Sequence, residues 1–349
     1  MDRNITTPLV TIIIPCYNME GKISRMLESI LAQTYKDLHV VIVDDGSTDN
    51  SKREIESFTN RMKVNGIDYE YLYQENRGLG GAINTGLKHI KGEYFCWPDA
   101  DDTLTPDSIE KRVTFLEGNP SYVFVRSDAA VFFESDLRNP IGRITRNSPN
   151  RFKESNLMED YILERDIIFC PGCHMVKTSA FKEVNPQMDI YEGRRGQNYQ
   201  LLLPLVYKFK FGYIDECLYN YVIYPTSMSR GDDSFEKWLN RYDGLSTYIV
   251  ETLKRMNMST RDFDYYMDLT SEKYFRLKAI KAFEFGLKDE FNNYRKKMKN
   301  AYLISTMERY DCLARIPGTF YFSRKYFKMK RRLQANRLMN KLYNIVTNG

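Results

Sequence analysis

Four times in roughly its first hundred residues the chain breaks from an apolar run into a polar cluster. Val10-Thr11-Ile12-Ile13-Ile14 runs into Pro15-Cys16-Tyr17-Asn18, and His39-Val40-Val41-Ile42-Val43 into Asp44-Asp45-Gly46-Ser47. Residues 69–73 lead to Asn76-Arg77-Gly78-Leu79-Gly80-Gly81, and Tyr94-Phe95-Cys96-Trp97 leads to Asp99-Ala100-Asp101-Asp102. Between these runs the period changes. Residues 21–33 gather Ile23, Met26, Leu27, Ile30 and Leu31 on one side of a helix, and residues 79–90 form a second helical stretch. Continuous apolar strands alternating with helices build a parallel sheet covered on both faces, so the expected class is α/β. Open parallel sheets bind ligands beyond the carboxyl ends of their strands, which puts all four polar clusters on one rim.

The fourth cluster carries three carboxylates within four positions. A buried strand cannot hold that much unpaired negative charge, so the carboxylates stand at the strand end and meet either cations or water. One reading is a solvated turn before a helix starting near Pro106, with Asp102 or Thr103 as its cap. The other is a metal site. Hard oxygen ligands suit Mg²⁺ or Mn²⁺, which complete their shells with water and substrate phosphates. The other three clusters also admit simple strand-to-helix turns, in which Asn and Gly permit tight backbone and Ser47 or Thr48 caps a helix.

Other chemistries are excluded by what the chain lacks. No G-x-x-x-x-G-K-[ST] is present, which rules out a P-loop, and the third glycine of a dinucleotide fingerprint would fall at Ile83. A helix N-terminus beside Arg77 still suits a phosphate. Cys170-Pro171-Gly172-Cys173-His174 has the C-x-x-C-H spacing of haem attachment. With only His39, His89 and His174 in the chain there is no second half for a zinc site, and the stretch reads as a Pro-Gly turn between strand ends. At 349 residues and 42% hydrophobic content the chain suits one large globular domain with an appended part. Its net charge of +5 is too modest to point to nucleic acid. No signal-like N-terminus and no apolar run of about 18 residues is visible, so a cytoplasmic location is expected.

Taken together, the four clusters resemble the family 2 glycosyltransferases of the GT-A fold. The likeness rests on residues 10–18, on Asp44-Asp45-Gly46-Ser47-Thr48-Asp49, on Asn76-Arg77-Gly78 with Ala82-x-Asn84-x-Gly86, and on Asp99-Ala100-Asp101-Asp102. It is specific over 8–105 and weaker over 106–230. The resemblance implies a nucleotide-sugar donor, usually UDP-linked. Tyr17 would pack on the base, with Pro15 and Asn18 beside it. Asp44 would bind the base next to Asp45, Asn76, Arg77 and Gly78 would border base and phosphate, and Asp99 would reach the ribose. Asp101 would hold Mg²⁺ or Mn²⁺ and Asp102 would face the sugar. Such transfer needs the leaving diphosphate neutralised and the acceptor hydroxyl deprotonated, and direct displacement inverts the anomeric centre.

Two positions depart from the pattern the resemblance implies. The acidic pair that opens a helix before the apolar run 199–206 is replaced by Gln197-Asn198, and neither amide takes a proton. A histidine metal ligand expected before Ser227-Met228-Ser229 is replaced by Tyr224. Three explanations follow. Gln197 and Asn198 hold the acceptor while Glu192, Asp189 or Asp102 acts as base; the alignment is displaced; or the protein binds a nucleotide-sugar without turning it over. The first is favoured, because Tyr191-Glu192-Gly193-Arg194-Arg195-Gly196 carries more charge and glycine than a helix start needs. Arg194 or Arg195 would assist the diphosphate or an anionic acceptor.

The transferase domain is thus expected over 1–230, divided into a nucleotide half (8–105) and an acceptor half (106–230), with the boundary near Gly231-Asp232-Asp233. Beyond it, residues 235–255, 271–285 and 290–302 form amphipathic helices whose aromatics serve packing, with Gly286 separating two of them. The segment 320–332 mixes aromatics with basic residues, either as a solvated helix face or as a dock on an anionic membrane. The latter would make the enzyme peripheral at the inner face of the plasma membrane and suits a lipid-linked acceptor. The expected activity is metal-dependent, inverting transfer of a hexosyl or N-acetylhexosaminyl group to a glycan or lipid-linked hydroxyl. Its alternatives are a sugar nucleotidyltransferase and a nucleotide-sugar-binding protein without transfer.

Overall fold

The computed structural model describes residues 7–145, 149–224, 234–323 and 325–326. The expectations for Ser227-Met228-Ser229, for the boundary at Gly231-Asp232-Asp233 and for residues 324 and 327–332 of the basic segment lie outside the described residues. The chain divides into two compact units, Met1–Ser227 with Tyr248–Phe263, and Met228–Thr247 with Asp264–Gly349.

The first unit is built on one mixed sheet. Its strands are β1 (Val10–Cys16), β2 (Leu38–Asp44), β3 (Asp68–Tyr73), β4 (Tyr94–Cys96), β5 (Thr103–Leu104), β6 (Tyr122–Phe133), β7 (Gly142–Arg143), β8 (His174–Lys177) and β9 (Lys210–Ile223). The order is β3-β2-β1-β4-β8-β6-β9-β5, with β7 on β6. β3, β2, β1 and β4 are parallel, β8 runs antiparallel to both β4 and β6, and β6 and β9 are parallel. Every residue of β1 and β2 is buried, because helices cover both faces, and this is why these strands show no polar alternation. One covering helix, Gly78–Lys88, comes so close to β1 that a Cβ on Gly86 would run into Ile13. The register pairs Cys16 with Asp44 and Asp44 with Tyr73, so these three strands end level and form the rim.

Downstream of β4 the chain does not make a solvated turn. Thr103 and Leu104 pair with Asn220 and Tyr219 of β9, and the next helix, Ser108–Gly118, starts after Asp107. Asp102, read from sequence as a possible cap, is 1% exposed and caps nothing. The C-x-x-C-H stretch is a single 3₁₀ turn, Pro171–Cys173, leading into β8, with both cysteines free.

The second unit is helical. The helix Thr260–Phe285 ends at Gly286 in a left-handed conformation (φ +75°), and Lys288–Lys296, Ala301–Ser305 and Glu308–Ala314 follow. Its aromatics pack on one another as expected. Phe283 lies 5.8 Å from Phe291, 5.3 Å from Tyr310 and 5.1 Å from Phe320, ring centre to ring centre. Among the described residues no helix is long and apolar enough to cross a membrane.

Candidate active site

The rim begins at the level ends of β1 and β2. Pro15 is buried in β1, whereas Tyr17 just beyond it is 46% exposed and free to meet a ligand. Asn18 takes the left-handed conformation (φ 53°), donates its N–H to Ser47 Oγ at 3.0 Å and accepts from Thr48 N at 2.8 Å. Asp44 is buried and accepts from Ser47 N (2.8 Å) and Tyr71 OH (2.7 Å). Asp45 is tied to the third cluster, accepting from Gln74 Nε2 (2.7 Å) and Arg77 N (2.9 Å). Gly46 (φ +79°) passes so near Asn76 that a Cβ there would lie 3.0 Å from its backbone nitrogen. Pro15, Tyr17, Asn18, Asp44, Asp45, Asn76, Arg77 and Gly78 therefore form one continuous wall.

The start of the helix Gly78–Lys88 is occupied by the chain itself. Gly80 N–H donates to Gly193 O at 2.7 Å, and a Cβ on Gly80 would lie 2.8 Å from Gly193 N, so glycine is needed for this approach. The same loop carries Glu192, which forms an ion pair with Arg77. Tyr248 packs its ring against Gly193 and Gly196 and supports the loop from behind. The Gly-rich stretch thus seats the Glu192 loop.

Asp99, Asp101 and Asp102 end β4 in a partly to fully buried cluster. Tyr219 OH, on β9, accepts the Asp99 N–H at 3.1 Å, and Asp102 Oδ1 accepts Val222 N–H at 2.7 Å. Burial, with the charge of Asp101 beside it, pushes Asp99 up to about 7. Burial raises Asp101 as well, opposed by the charges of Lys22 and Arg25. Asp102 is raised well above the ordinary carboxylate range by burial and then by Asp99 and Asp101. Burial thus resists the ionisation of all three carboxylates, and a nearby cation would relieve that resistance.

With this geometry in place, the comparison with known proteins is decisive for the family. Residues 11–184 match the family model for glycosyl transferase family 2. The chain belongs to glycosyl transferase family 2. An uncharacterized glycosyltransferase, RP339, of Rickettsia prowazekii is 40% identical over 116 residues, 33% of this chain and 34% of the relative. The matched stretch thus spans about a third of that curated relative's length. Among solved structures, TarS 1-349 of S. aureus in complex with UDP-GlcNAc has a TM-score of 0.62 at 16% identity, covering 93% of this chain and 92% of that one. The mannosyltransferase PcManGT of Pyrobaculum calidifontis, in complex with GDP-Man and Mn²⁺, has a TM-score of 0.51 at 15% identity, covering 95% and 87%. The fold is GT-A, as the resemblance implied.

In this family 2 chain Gln197 and Asn198 open the helix Gln197–Lys208. Asn198, expected to hold an acceptor, is committed to the protein at both ends. Its Oδ1 accepts from Trp97 Nε1 at 2.9 Å and its Nδ2 donates to Phe169 O. Gln197 is 9% exposed. Asp189 is drawn toward Arg255 (3.6 Å). Tyr224 lies against Asp101, donating its hydroxyl to the Asp101 carbonyl at 2.7 Å. Sequence reading passed over Lys22 and Arg25, which look like ordinary helix-surface charges, and over Tyr219, Val222, Tyr71 and Gln74, which hold the acidic residues from other strands.

Among the described residues the group of metal-ligating type whose ligand atoms all lie within 4.8 Å of one another is a different one: His39, Asp68 and Glu70. Here the cationic partner is built in. Lys91 Nζ reaches Asp68 at 2.8 Å and also contacts Glu70, and Glu70 accepts from His89 Nδ1 at 2.8 Å.

Proposed function

We propose that this family 2 glycosyltransferase moves a sugar from a nucleotide-diphosphate donor, UDP-linked, to a hydroxyl of a glycan or lipid-linked acceptor with inversion. The observation that carries the reading is the conjunction of two walls on one rim. The strand ends that carry Tyr17, Asp44 and Asn76 share the rim with three carboxylates whose ionisation burial opposes. Asp101, with Asp99 and Asp102 beside it, would hold Mg²⁺ or Mn²⁺, an ion that neutralises charge on a departing diphosphate when bound. Asp44 would accept from the base, Tyr17 would stack on it, and Arg77 would border the phosphates. Titration calorimetry with UDP and GDP, each with and without MnCl₂, tests the donor. The expected result is Mn²⁺-dependent binding with preference for UDP.

The proton acceptor is proposed to be Glu192 or Asp102. Glu192 is 42% exposed on its loop, and its pairing with Arg77 keeps it beside the residues proposed to border the phosphates. Glu192→Gln and Asp102→Asn, assayed for transfer and for donor binding, separate the two. The base lowers turnover with donor affinity kept.

A second reading is favoured by Asn198, whose amide stands where the resemblance places an acid and is tied off by Trp97 and Phe169. On that reading the protein binds a nucleotide-sugar without transferring it. Donor binding with no product across a panel of acceptors would support it. Docking of the segment 320–332 on anionic lipid is also proposed, and flotation of the chain with phosphatidylglycerol vesicles tests it.

A further inference from the structure

The carboxylate cluster has a counterpart of opposite sign. Lys22 and Arg25 stand at the start of the helix Ile23–Leu31, and both converge on Tyr224. Lys22 Nζ lies 4.0 Å from the centre of the Tyr224 ring, and Arg25 Nη2 donates to the Tyr224 hydroxyl. That hydroxyl donates in turn to Asp101 O, which Arg25 Nη2 also approaches at 3.5 Å. Tyr224 itself is 4% exposed, so the arrangement is anchored rather than splayed into water.

Neither cation forms an ion pair with a carboxylate among the described residues, although Asp101 stands close enough to feel both charges. Arg25 Nε is buried and has no hydrogen-bond partner. A guanidinium held among protein groups without an ion-pair partner keeps its full charge, which an anion bound beside it would offset. A nucleotide's diphosphate offers such an anion.

We infer that Lys22 and Arg25 form the anion half of the donor site and take the diphosphate oxygens of the nucleotide, opposite the cation half at Asp101. The inference rests on the donor reading above and deepens it. Arg25 presents a planar fork suited to two oxygens of one phosphate, while Lys22 supplies a mobile point charge on a flexible stem. Tyr224 is a positioning residue. Its hydroxyl fixes the Arg25 guanidinium to the backbone of the carboxylate loop, so the two halves keep a set spacing. Both cations would also stabilise the diphosphate as it leaves.

The test is calorimetry in MnCl₂ with UDP, GDP, inorganic pyrophosphate, and the phosphate-free nucleosides uridine and guanosine. Lys22→Met and Arg25→Lys are each expected to weaken the diphosphates and pyrophosphate about tenfold, and together about 100-fold, with nucleoside affinity unchanged. Tyr224→Phe keeps the ring under Lys22 and is expected to cause a smaller loss with the same selectivity. Melting temperatures of all variants confirm that folded proteins are compared. Double-variant affinities for UDP, GDP and pyrophosphate equal to wild type would overturn the inference while the donor reading stands. Equal losses for nucleosides and diphosphates would overturn it as well, since the residues would then only support the fold. A wild-type protein that binds no nucleotide and no pyrophosphate would bring down both.

Discussion

The sheet of the first unit carries a cluster of acidic side chains at each end, and the two clusters live under opposite electrostatics. At the carboxyl ends of the strands, Asp99, Asp101 and Asp102 are all raised, Asp99 to about 7, because burial opposes their charge. Near the amino ends of β2 and β3, Glu70 is drawn down to about 2 although partial burial opposes it, because Lys91, His89 and His39 all bond to it. Both clusters mix acids with nearby cations. The difference is pairing. Lys91 sits directly on Asp68 and Glu70, whereas Lys22 is held over the Tyr224 ring and Arg25 on the Tyr224 hydroxyl and the Asp101 backbone oxygen, with no ion pair to the Asp101 carboxylate. A satisfied cluster stabilises the fold by itself. An unsatisfied one weakens the free protein, and the proposed cation and diphosphate would offset that cost.

The contrast can be broken most sharply at Asp101. Asp101→Asn is expected to reduce Mn²⁺-dependent UDP affinity by about 100-fold, since a hard oxygen ligand is replaced by an amide. Calorimetry giving wild-type affinity for this variant would mean that the rim is not a cation site. Next in size is Gly172→Ala. The added methyl would collide with the Tyr219 ring that holds Asp99, and denaturant unfolding is expected to register a loss of about 1–3 kcal/mol together with weaker nucleotide binding.

The pH response sharpens the other end. The folded-state pKa of Glu70, about 2, lies below its ordinary 4.5, so its contribution is present above the ordinary value and is lost as pH falls through about 2. Glu70→Gln should therefore flatten the fall in melting temperature between about pH 5 and pH 2. A variant with an unchanged acid limb would show that this network contributes nothing to stability. The smallest expected effect compares the two ends directly. MnCl₂ is expected to raise the melting temperature of wild type and of Glu70→Gln by the same few degrees, and to leave Asp101→Asn unmoved. A response lost in Glu70→Gln would transfer the cation site to His39, Asp68 and Glu70.

Much of this architecture is legible in the sequence, for reasons that differ by region. β1, β2 and β4 stand out because a strand buried on both faces is uninterrupted apolar sequence. β6 is harder to see, since Arg126, Ser127 and Asp128 lie fully buried in its middle and break the apolar run. The helix Thr260–Phe285 starts eleven residues before the expected 271, where Arg261, Asp262, Asp264 and Asp268 are interspersed with the partly buried Phe263, Tyr266 and Met267 and obscure the apolar stripe. The expected helix over 290–302 is two. Asn300 interrupts it as an N-cap, its side chain accepting from Leu303 N at 3.1 Å.

By itself, the sequence determined the α/β class, the rim of four strand ends, the family and the three clustered carboxylates, because each of these is written in local period or in residues adjacent along the chain. The partners were decided by the tertiary structure. Arg77 meets Glu192, Asn198 is tied to Trp97, and Tyr224 joins Arg25 to Asp101 across separations that no local pattern encodes. Strand order is the physical reason. β9 returns alongside β6, and Tyr224 just beyond it reaches Asp101 only once these strands have paired, so the surroundings of a surface-like lysine or arginine are set by the packing and not by its neighbours in sequence.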